Sequence, residues 1–245
     1  MAKHTIYITR DCFMNCSYCY EENKKSSNIN ISRLKQILKK IYVMDAAPDI
    51  IEIFGGEPLI NWRAFLIVLN YCSERKTPMS TSTNGLLLTT DRIAVLKKHN
   101  ISVGISYDGR TTHDTYRRTK QNKGTEKIVR GSIIRSLENG LEIVVNMTFQ
   151  CANAKYMLGD IKDLCALGVK RIKIHNINNN EFLVSEAHRI CVFNQLRSFA
   201  AINKMHIALN MSLSRSRIEQ HYYSDNVMKT QRRSTLGHWA AVGWD

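Results

Sequence analysis

The sequence predicts an α/β protein built as a partial (β/α)6, TIM-like barrel, with parallel strands inside and helices outside. Three observations carry that expectation. Short β-type runs alternate with longer stretches of helical periodicity six times in succession, the order of a parallel sheet with helical crossovers. In the first half, every passage from strand to helix bears a cluster of cysteine, glycine or small polar residues. No apolar run approaches the roughly 20 residues that a bilayer-spanning helix requires.

The elements follow in order. Thr5 to Thr9 reads as the first strand and leads into a cysteine loop. Ile31 to Met44 carries Leu34, Ile37, Leu38 and Ile41 at helical spacing, with Asn30 or Ser32 as its cap. Residues 49–54 form the second strand, Trp62 to Arg75 the second helix and residues 78–85 the third strand. Thr90 to His99 is helical and residues 101–109 are a strand. A long basic loop precedes the helix from Thr125 to Asn139, and residues 141–150 are the fifth strand. Tyr156 to Leu167 forms a helix ended by Gly168, and residues 169–175 are the sixth strand. Ser185 to Asn203 is the last long helix, and residues 206–213 suit one further strand. Residues 1–210 are therefore expected as the core barrel and residues 211–245 as a C-terminal extension.

Composition narrows the class. The 245 residues are 44% hydrophobic and 23% charged, ordinary values for a chain with a buried core. The N-terminus has no apolar signal-peptide stretch, so a cytoplasmic protein is expected. Its seven cysteines are then expected as thiols or metal ligands rather than disulfides. Lys and Arg number 35 against 21 Asp and Glu; the resulting net charge of +14 points to an anionic partner, nucleic acid among the candidates, while the lack of a long apolar run predicts no membrane association.

In barrels of this kind the chemistry sits at the C-terminal ends of the strands. Here those ends carry Cys12, Cys16 and Cys19, then Gly55-Gly56-Glu57-Pro58, then Thr83-Asn84-Gly85, then Ser106 followed by Asp108-Gly109. Asn-Gly and Asp-Gly are ordinary turns when taken alone. On one rim with three thiols they outline a pocket. A structural zinc would be one ligand short, because no second Cys or His pair lies at finger spacing and His4 sits at the far end of the first strand. Three thiolates leave a metal position open, as catalytic centres do. Cys72, Cys151, Cys165 and Cys191 stand singly and read as buried, inert thiols.

The spacing Cys12-x3-Cys16-x2-Cys19, with Tyr18 before the last cysteine, resembles the radical S-adenosylmethionine (SAM) superfamily. FGGEPL resembles that superfamily's glycine-rich motif. STNG, SYDG and HDTYR (113–117) resemble its branch of anaerobic sulfatase-maturating enzymes and peptide maturases, and the likeness runs in order through roughly the first two-thirds of the chain. The resemblance implies that the three cysteines hold a [4Fe-4S] cluster whose fourth iron chelates S-adenosylmethionine. Reductive cleavage of the sulfonium C–S bond would then give methionine and a 5′-deoxyadenosyl radical that takes hydrogen from a substrate.

The same resemblance implies cofactor contacts residue by residue. Tyr18 would lie against the adenine side, Gly55 and Gly56 would admit the methionine part, and Glu57 would pair with its ammonium group. Ser106 would bond the cofactor, and Arg117 would pair with its carboxylate. The family segment is usually one residue longer between this serine and arginine, which admits Arg118 as a substitute. The backbone after Asn176 would touch adenine. An electron donor such as flavodoxin or ferredoxin is implied. The substrate stays open between a peptide or protein and an anionic small molecule, nucleotide or nucleic acid, the latter similar to the viperin group, which shares GGEP. A barrel binding RNA or protein without turnover is the reading from a different class. With no cysteine after Cys191 and a first strand that begins almost at once, neither the auxiliary-cluster extension nor the leader-binding domain of the maturases is expected.

Overall fold

A computed structural model describes residues 3–19, 27–45, 48–176, 185–213, 216–222 and 229–232. The chain runs β1 (Lys3–Thr9), α1 (Ile31–Met44), β2 (Ile50–Gly55), α2 (Trp62–Ser73), β3 (Met79–Thr83), α3 (Thr90–Lys98) and β4 (Ser102–Ser106). It continues through the short α4 (His113–Tyr116), α5 (Glu126–Glu138), β5 (Ile143–Phe149), the short α6 (Cys151–Ala154), α7 (Met157–Ala166) and β6 (Arg171–Asn176). Last come α8 (Glu186–Ile202), β7 (His206–Leu213), β8 (Ser216–Tyr222) and β9 (Lys229–Arg232).

Among the described residues, nine strands join one sheet in chain order. Strands β1 to β7 pair in parallel, and β8 and β9 are added antiparallel. The six expected strand–helix units are present, and the further strand at residues 206–213 is a seventh parallel one. It runs through residue 210, where the core was expected to end, and the two strands beyond it extend the same sheet.

Local chemistry sets the boundaries. Of the two expected caps on α1, Asn30 is the one used: its carboxamide oxygen accepts from the amides of Ser32 and Arg33 at 2.9 and 3.2 Å. Strand β4 stops at Ser106, short of the expected residue 109. There the Asp108 carboxylate accepts the Thr148 amide at 2.8 Å, so a side chain takes over from the backbone ladder. The basic loop contains α4, and the carboxylate of its Asp114 accepts the amides of Thr125 and Glu126 that begin α5, at 2.6 and 2.8 Å.

The two faces of the sheet differ. Ile6, Ile8, Ile51, Ile53, Val103, Ile105, Val145, Ile172, Ile174 and Leu209 are buried beneath the helices, against Leu34, Phe65, Ile133, Ile161 and Leu196. Their neighbours at alternate positions, among them Thr5, Glu52, Ser82, Ser106, Asn146, Thr148, Lys173 and His175, are half-buried on the opposite face. Parallel sheets are ordinarily covered on both sides by apolar residues. Here the inner face is polar and partly open.

Candidate functional site

The loop after β1 holds Cys12, Cys16 and Cys19, none in a disulfide and all half-buried. It is fixed on both flanks. On one flank the amides of Gly56 and Glu57 donate to the carbonyls of Thr9 and Asp11 at 3.0 and 2.7 Å. A methyl group added at Gly55 would stand 2.4 Å from the Thr9 carbonyl oxygen, and one at Gly56 would stand 2.5 Å from that of Arg10. The glycines thus let the end of β2 close onto the cysteine loop itself. On the other flank the loop pairs with residues 116–120: Asn15 N donates to Arg118 O at 2.7 Å, Ser17 N to Tyr116 O at 3.1 Å and Lys120 N to Phe13 O at 2.9 Å.

Glu57 is fully buried. One oxygen accepts from the Thr83 hydroxyl at 2.7 Å and the Leu59 amide at 3.1 Å, the other from the Asn84 amide at 2.7 Å. Burial pushes its carboxyl above the ordinary glutamate range, against the pull of those three donors. Asn84, held this way, donates through Nδ2 to Cys12 Sγ at 3.8 Å. The GGEP and STNG motifs therefore meet at the first cysteine. Both Glu57 oxygens face these groups.

Asp108 is the second buried carboxylate. Its Oδ2 accepts Arg117 Nε at 2.8 Å and the Tyr18 hydroxyl, and its Oδ1 accepts the Thr148 amide. The Arg117 guanidinium carbon lies 5.3 Å from the centre of the Tyr18 ring. Arg117 is held well above its usual value; burial opposes the charge and adjacent Asp108 outweighs it. Tyr18 is pushed up chiefly by burial, so its hydroxyl stays protonated and donates. Beneath this group the buried His113 accepts the Asp108 amide at Nδ1, 3.3 Å, and faces Thr125 Oγ1 from Nε2 at 3.1 Å. The Thr125 hydroxyl in turn donates to Arg117 O at 2.9 Å. Burial first, then Arg117, lowers His113 to about 4.

The structure separates the two candidate arginines. Arg117 is inside, while exposed Arg118 donates to the carbonyls of Asp114 and Asn122 at 2.7 and 3.2 Å. Ser106 is half-buried on the inner face beside Asn146, its register partner on β5. Asn176 ends β6, and the expected adenine-side segment at 177–184 lies outside the described residues. Sequence reasoning placed Thr83, Asn84 and Asp108 on the pocket rim without giving them a role, and left His113 of HDTYR unassigned. Their buried hydrogen-bond partners lie far along the chain, so the Asp-Gly, Asn-Gly and HDTYR segments marked the place without the contacts. Of the single cysteines expected to be buried, Cys72 is in the core, with burial raising its thiol to about 11, and Cys165 is half-buried, but Cys151 and Cys191 are exposed on their helices.

Among the described residues, no three His, Cys, Asp or Glu side chains stand close enough to share one metal ion. The donor set fits a cluster better: three thiols outside any disulfide on one short loop, with a nitrogen donor already at the first sulfur. The profile of the radical SAM superfamily matches residues 6–164, which include every residue of this site. The chain belongs to the radical SAM superfamily.

Relatives within and around the superfamily agree. The chain is 30% identical over 179 residues to an uncharacterized protein of Methanocaldococcus jannaschii, covering 69% of this chain and 61% of that one. It is 28% identical to the radical SAM cyclopropyl synthase TigE of Paramaledivibacter caminithermalis, over 64% of this chain and 37% of the relative. It is 26% identical to the S-adenosylmethionine-dependent nucleotide dehydratase of Psychrobacter lutiphocae, over 74% of this chain and 67% of the relative. Among solved structures, anSMEcpe with bound AdoMet and a peptide superposes with a TM-score of 0.71 at 19% identity, covering 82% of this chain and 60% of that one. SuiB of Streptococcus suis, bound to its precursor peptide SuiA, gives 0.71 at 16% identity, over 85% and 48%. These two likenesses show the fold. The chain spans less than two-thirds of the length of the first two of these relatives and of both solved structures. Membership in this enzyme superfamily implies S-adenosylmethionine and an iron–sulfur cluster as cofactors. Among the described residues no helix is long and apolar enough to cross a membrane.

Proposed function

We propose that this radical SAM enzyme cleaves S-adenosylmethionine reductively at a [4Fe-4S] cluster held by Cys12, Cys16 and Cys19. The observation that carries the reading is the cysteine loop clamped between two buried carboxylate systems, Glu57–Asn84 on one side and Asp108–Arg117–Tyr18 on the other. A cluster held there would supply the electron for reductive cleavage of the sulfonium C–S bond.

The chain's residues do the binding and aiming. Arg117, fixed through Nε by Asp108, retains its two terminal nitrogens for the cofactor carboxylate. Tyr18 offers its ring to the adenine side while Asp108 holds its hydroxyl. The backbone at Gly55 and Gly56, with Glu57 buried behind it, borders the methionine part, and Ser106 contributes its hydroxyl from the inner face. Residues 1–210 form the catalytic core and residues 211–245 an accessory segment. A flavodoxin or ferredoxin would deliver the electron in the cytoplasm. The substrate hydrogen would be presented on the inner face of the sheet, by a peptide as in the maturases or by an anionic small molecule.

Anaerobic reconstitution tests this reading. About four irons per chain, and 5′-deoxyadenosine formed from S-adenosylmethionine and dithionite, are expected. Cys16→Ala should abolish both, and Cys72→Ala should abolish neither. Iron retained at full stoichiometry without any 5′-deoxyadenosine would favour a non-catalytic binding barrel instead.

A further inference from the structure

One buried carboxylate belongs neither to the cysteine loop nor to its two flanking systems. Asp160 stands on α7, only 6% exposed, and reaches the turn that follows Asp108. Its Oδ1 accepts the Arg110 amide, 50 positions away, at 2.9 Å, and the Thr111 amide adds a smaller pull. Its Oδ2 is buried without a hydrogen-bond partner. That oxygen fills the space beside Gly109, whose φ is +93°: a methyl group there would stand 2.1 Å from it. A single carboxylate thus lies against three successive residues, 109 to 111.

Those residues lead from Asp108 to α4. The turn's own bonds, from Thr112 Oγ1 to Asp108 O at 2.9 Å and from His113 N to Gly109 O at 3.1 Å, set its shape. Beyond β5, its place is set from the outer helices. Just before Asp108, the hydroxyl of buried Tyr107 donates to Glu126 of α5 at 2.7 Å. Just after it, Asp160 of α7 holds the backbone. The two helices are joined in turn, because Arg130 of α5 donates to Asp163 of α7 at 3.1 Å. Asp108 is therefore bracketed by one connected layer, and Asp108 fixes Arg117 Nε at 2.8 Å. Burial raises the Asp160 carboxyl above the ordinary aspartate range, against the pull of the two amides. A buried charge with one oxygen left unbonded is costly, and such exceptions call for a reason beyond stability.

We propose that Asp160 is a positioning residue for cofactor binding: it fixes residues 109–111, and through them aligns Asp108 so that Arg117 presents its terminal nitrogens to the carboxylate of S-adenosylmethionine. The proposal rests on the radical-enzyme reading above, in which Arg117 binds that carboxylate. A two-pronged pairing of guanidinium with carboxylate requires matched geometry, so a small displacement of Asp108 costs cofactor affinity and not iron. The carboxylate suits the task on both sides. One oxygen takes the amide donors, and the other carries no hydrogen to push against the Gly109 Cα–H.

Two measurements on the full chain test it. In the cluster-free protein, amide hydrogen exchange at Arg110 should be about tenfold faster in Asp160→Ala than in the parent. Asp160→Asn keeps an acceptor and should keep the protection. In the reconstituted protein, calorimetric titration with S-adenosylmethionine should show about tenfold weaker binding for Asp160→Ala at full iron content. Asp160→Asn should recover most of that affinity. Gly109→Ala, which drives a methyl group into Oδ2, should weaken binding through the same turn. The KM for cofactor cleavage in Asp160→Ala should rise about tenfold, more than kcat falls, whereas a general loss of folded protein lowers kcat and leaves KM alone. In an Arg117→Met background, Asp160→Ala should weaken binding no further, because it acts through that arginine. Unchanged exchange at Arg110, parent-like cofactor binding by Asp160→Ala, or a full second loss in the Arg117→Met background overturns the proposal and leaves the radical-enzyme reading standing. Parent-like binding by Arg117→Met itself sinks the arginine's part in that reading, and the proposal falls with it.

Discussion

Two carboxylates flank the cysteine loop, Glu57 and Asp108, and both are fully buried, yet they are held in opposite ways. Glu57 receives only neutral donors: two amides and a hydroxyl. The cation nearest in effect, Arg92, spends its hydrogen bonds on the carbonyls of Leu59 and Leu87. Asp108 receives a neutral amide and a phenol together with the guanidinium of Arg117. The first carboxylate is a brace that joins the ends of β2 and β3. The second is half of a buried ion pair that sets an arginine against the cysteine loop. The difference teaches that burial alone does not assign a role; the partner's charge does.

The largest effect should follow from breaking the ion pair. Asp108→Ala leaves Arg117 buried without compensation, a loss of about 3–5 kcal/mol. Urea unfolding of the cluster-free protein measures it. The double variant Asp108→Ala with Arg117→Met should recover part of that loss, because the uncompensated charge is gone. A loss below about 1 kcal/mol for the single variant would mean that the pair is solvated, and the contrast with Glu57 would collapse.

How much of this was legible in the sequence depends on the separation of the partners. The three cysteines lie within eight positions, and their spacing together with GGEP at the next strand end carried the family resemblance. The strand–helix alternation gave the barrel because each period is a local property. Tyr18 and Asp108 are 90 positions apart, and Glu57 and Asn84 are 27 apart. Asp-Gly and Asn-Gly look the same in sequence whether they turn the chain or hold a buried partner. The helix α4 has only four residues, too short for periodicity to register. The glycines of GGEP were read as space for a cofactor. The atoms their missing side chains make room for belong to Thr9, Arg10 and Asp11.

The Asp108 side should also be the pH-sensitive one. His113 is neutral in the folded protein, lowered to about 4 chiefly by burial, and its unfolded value is near 6.5. Between those values the unfolded chain binds more protons. Stability supplied by neutral His113 is therefore complete above about pH 6.5 and is lost as pH falls toward 4, by on the order of 3 kcal/mol. Urea unfolding at pH 7 and at pH 4.5 should show a steeper loss for the parent than for His113→Gln. Equal losses in the two proteins would show that His113 titrates normally and that its pocket admits water.

Glu57→Gln should have the smallest effect of the three, and its sign with pH should be reversed. The carboxylate accepts from three donors, and a carboxamide has one oxygen to offer. Whichever way it turns, its NH2 meets an amide donor, Asn84 N in one orientation and Leu59 N in the other. One buried donor is left unpaired, at a cost of about 1–3 kcal/mol. Part of that returns, because the variant no longer buries a charge, and burial is what raises this carboxyl. A net loss of about 1 kcal/mol is expected at pH 7. A raised folded value means that folding favours the protonated acid, so the carboxylate's contribution declines as pH rises above the ordinary glutamate value of about 4.3. The parent's advantage over Glu57→Gln should thus be greatest in mild acid and should shrink toward neutrality, whereas the parent's advantage over His113→Gln should grow. Paired urea unfolding curves of both variants across pH 4.5 to 7.5 would show the two trends crossing. A Glu57→Gln loss that grows with pH would mean that a cation pairs with this carboxylate after all, and Glu57 would then join Asp108 as half of an ion pair.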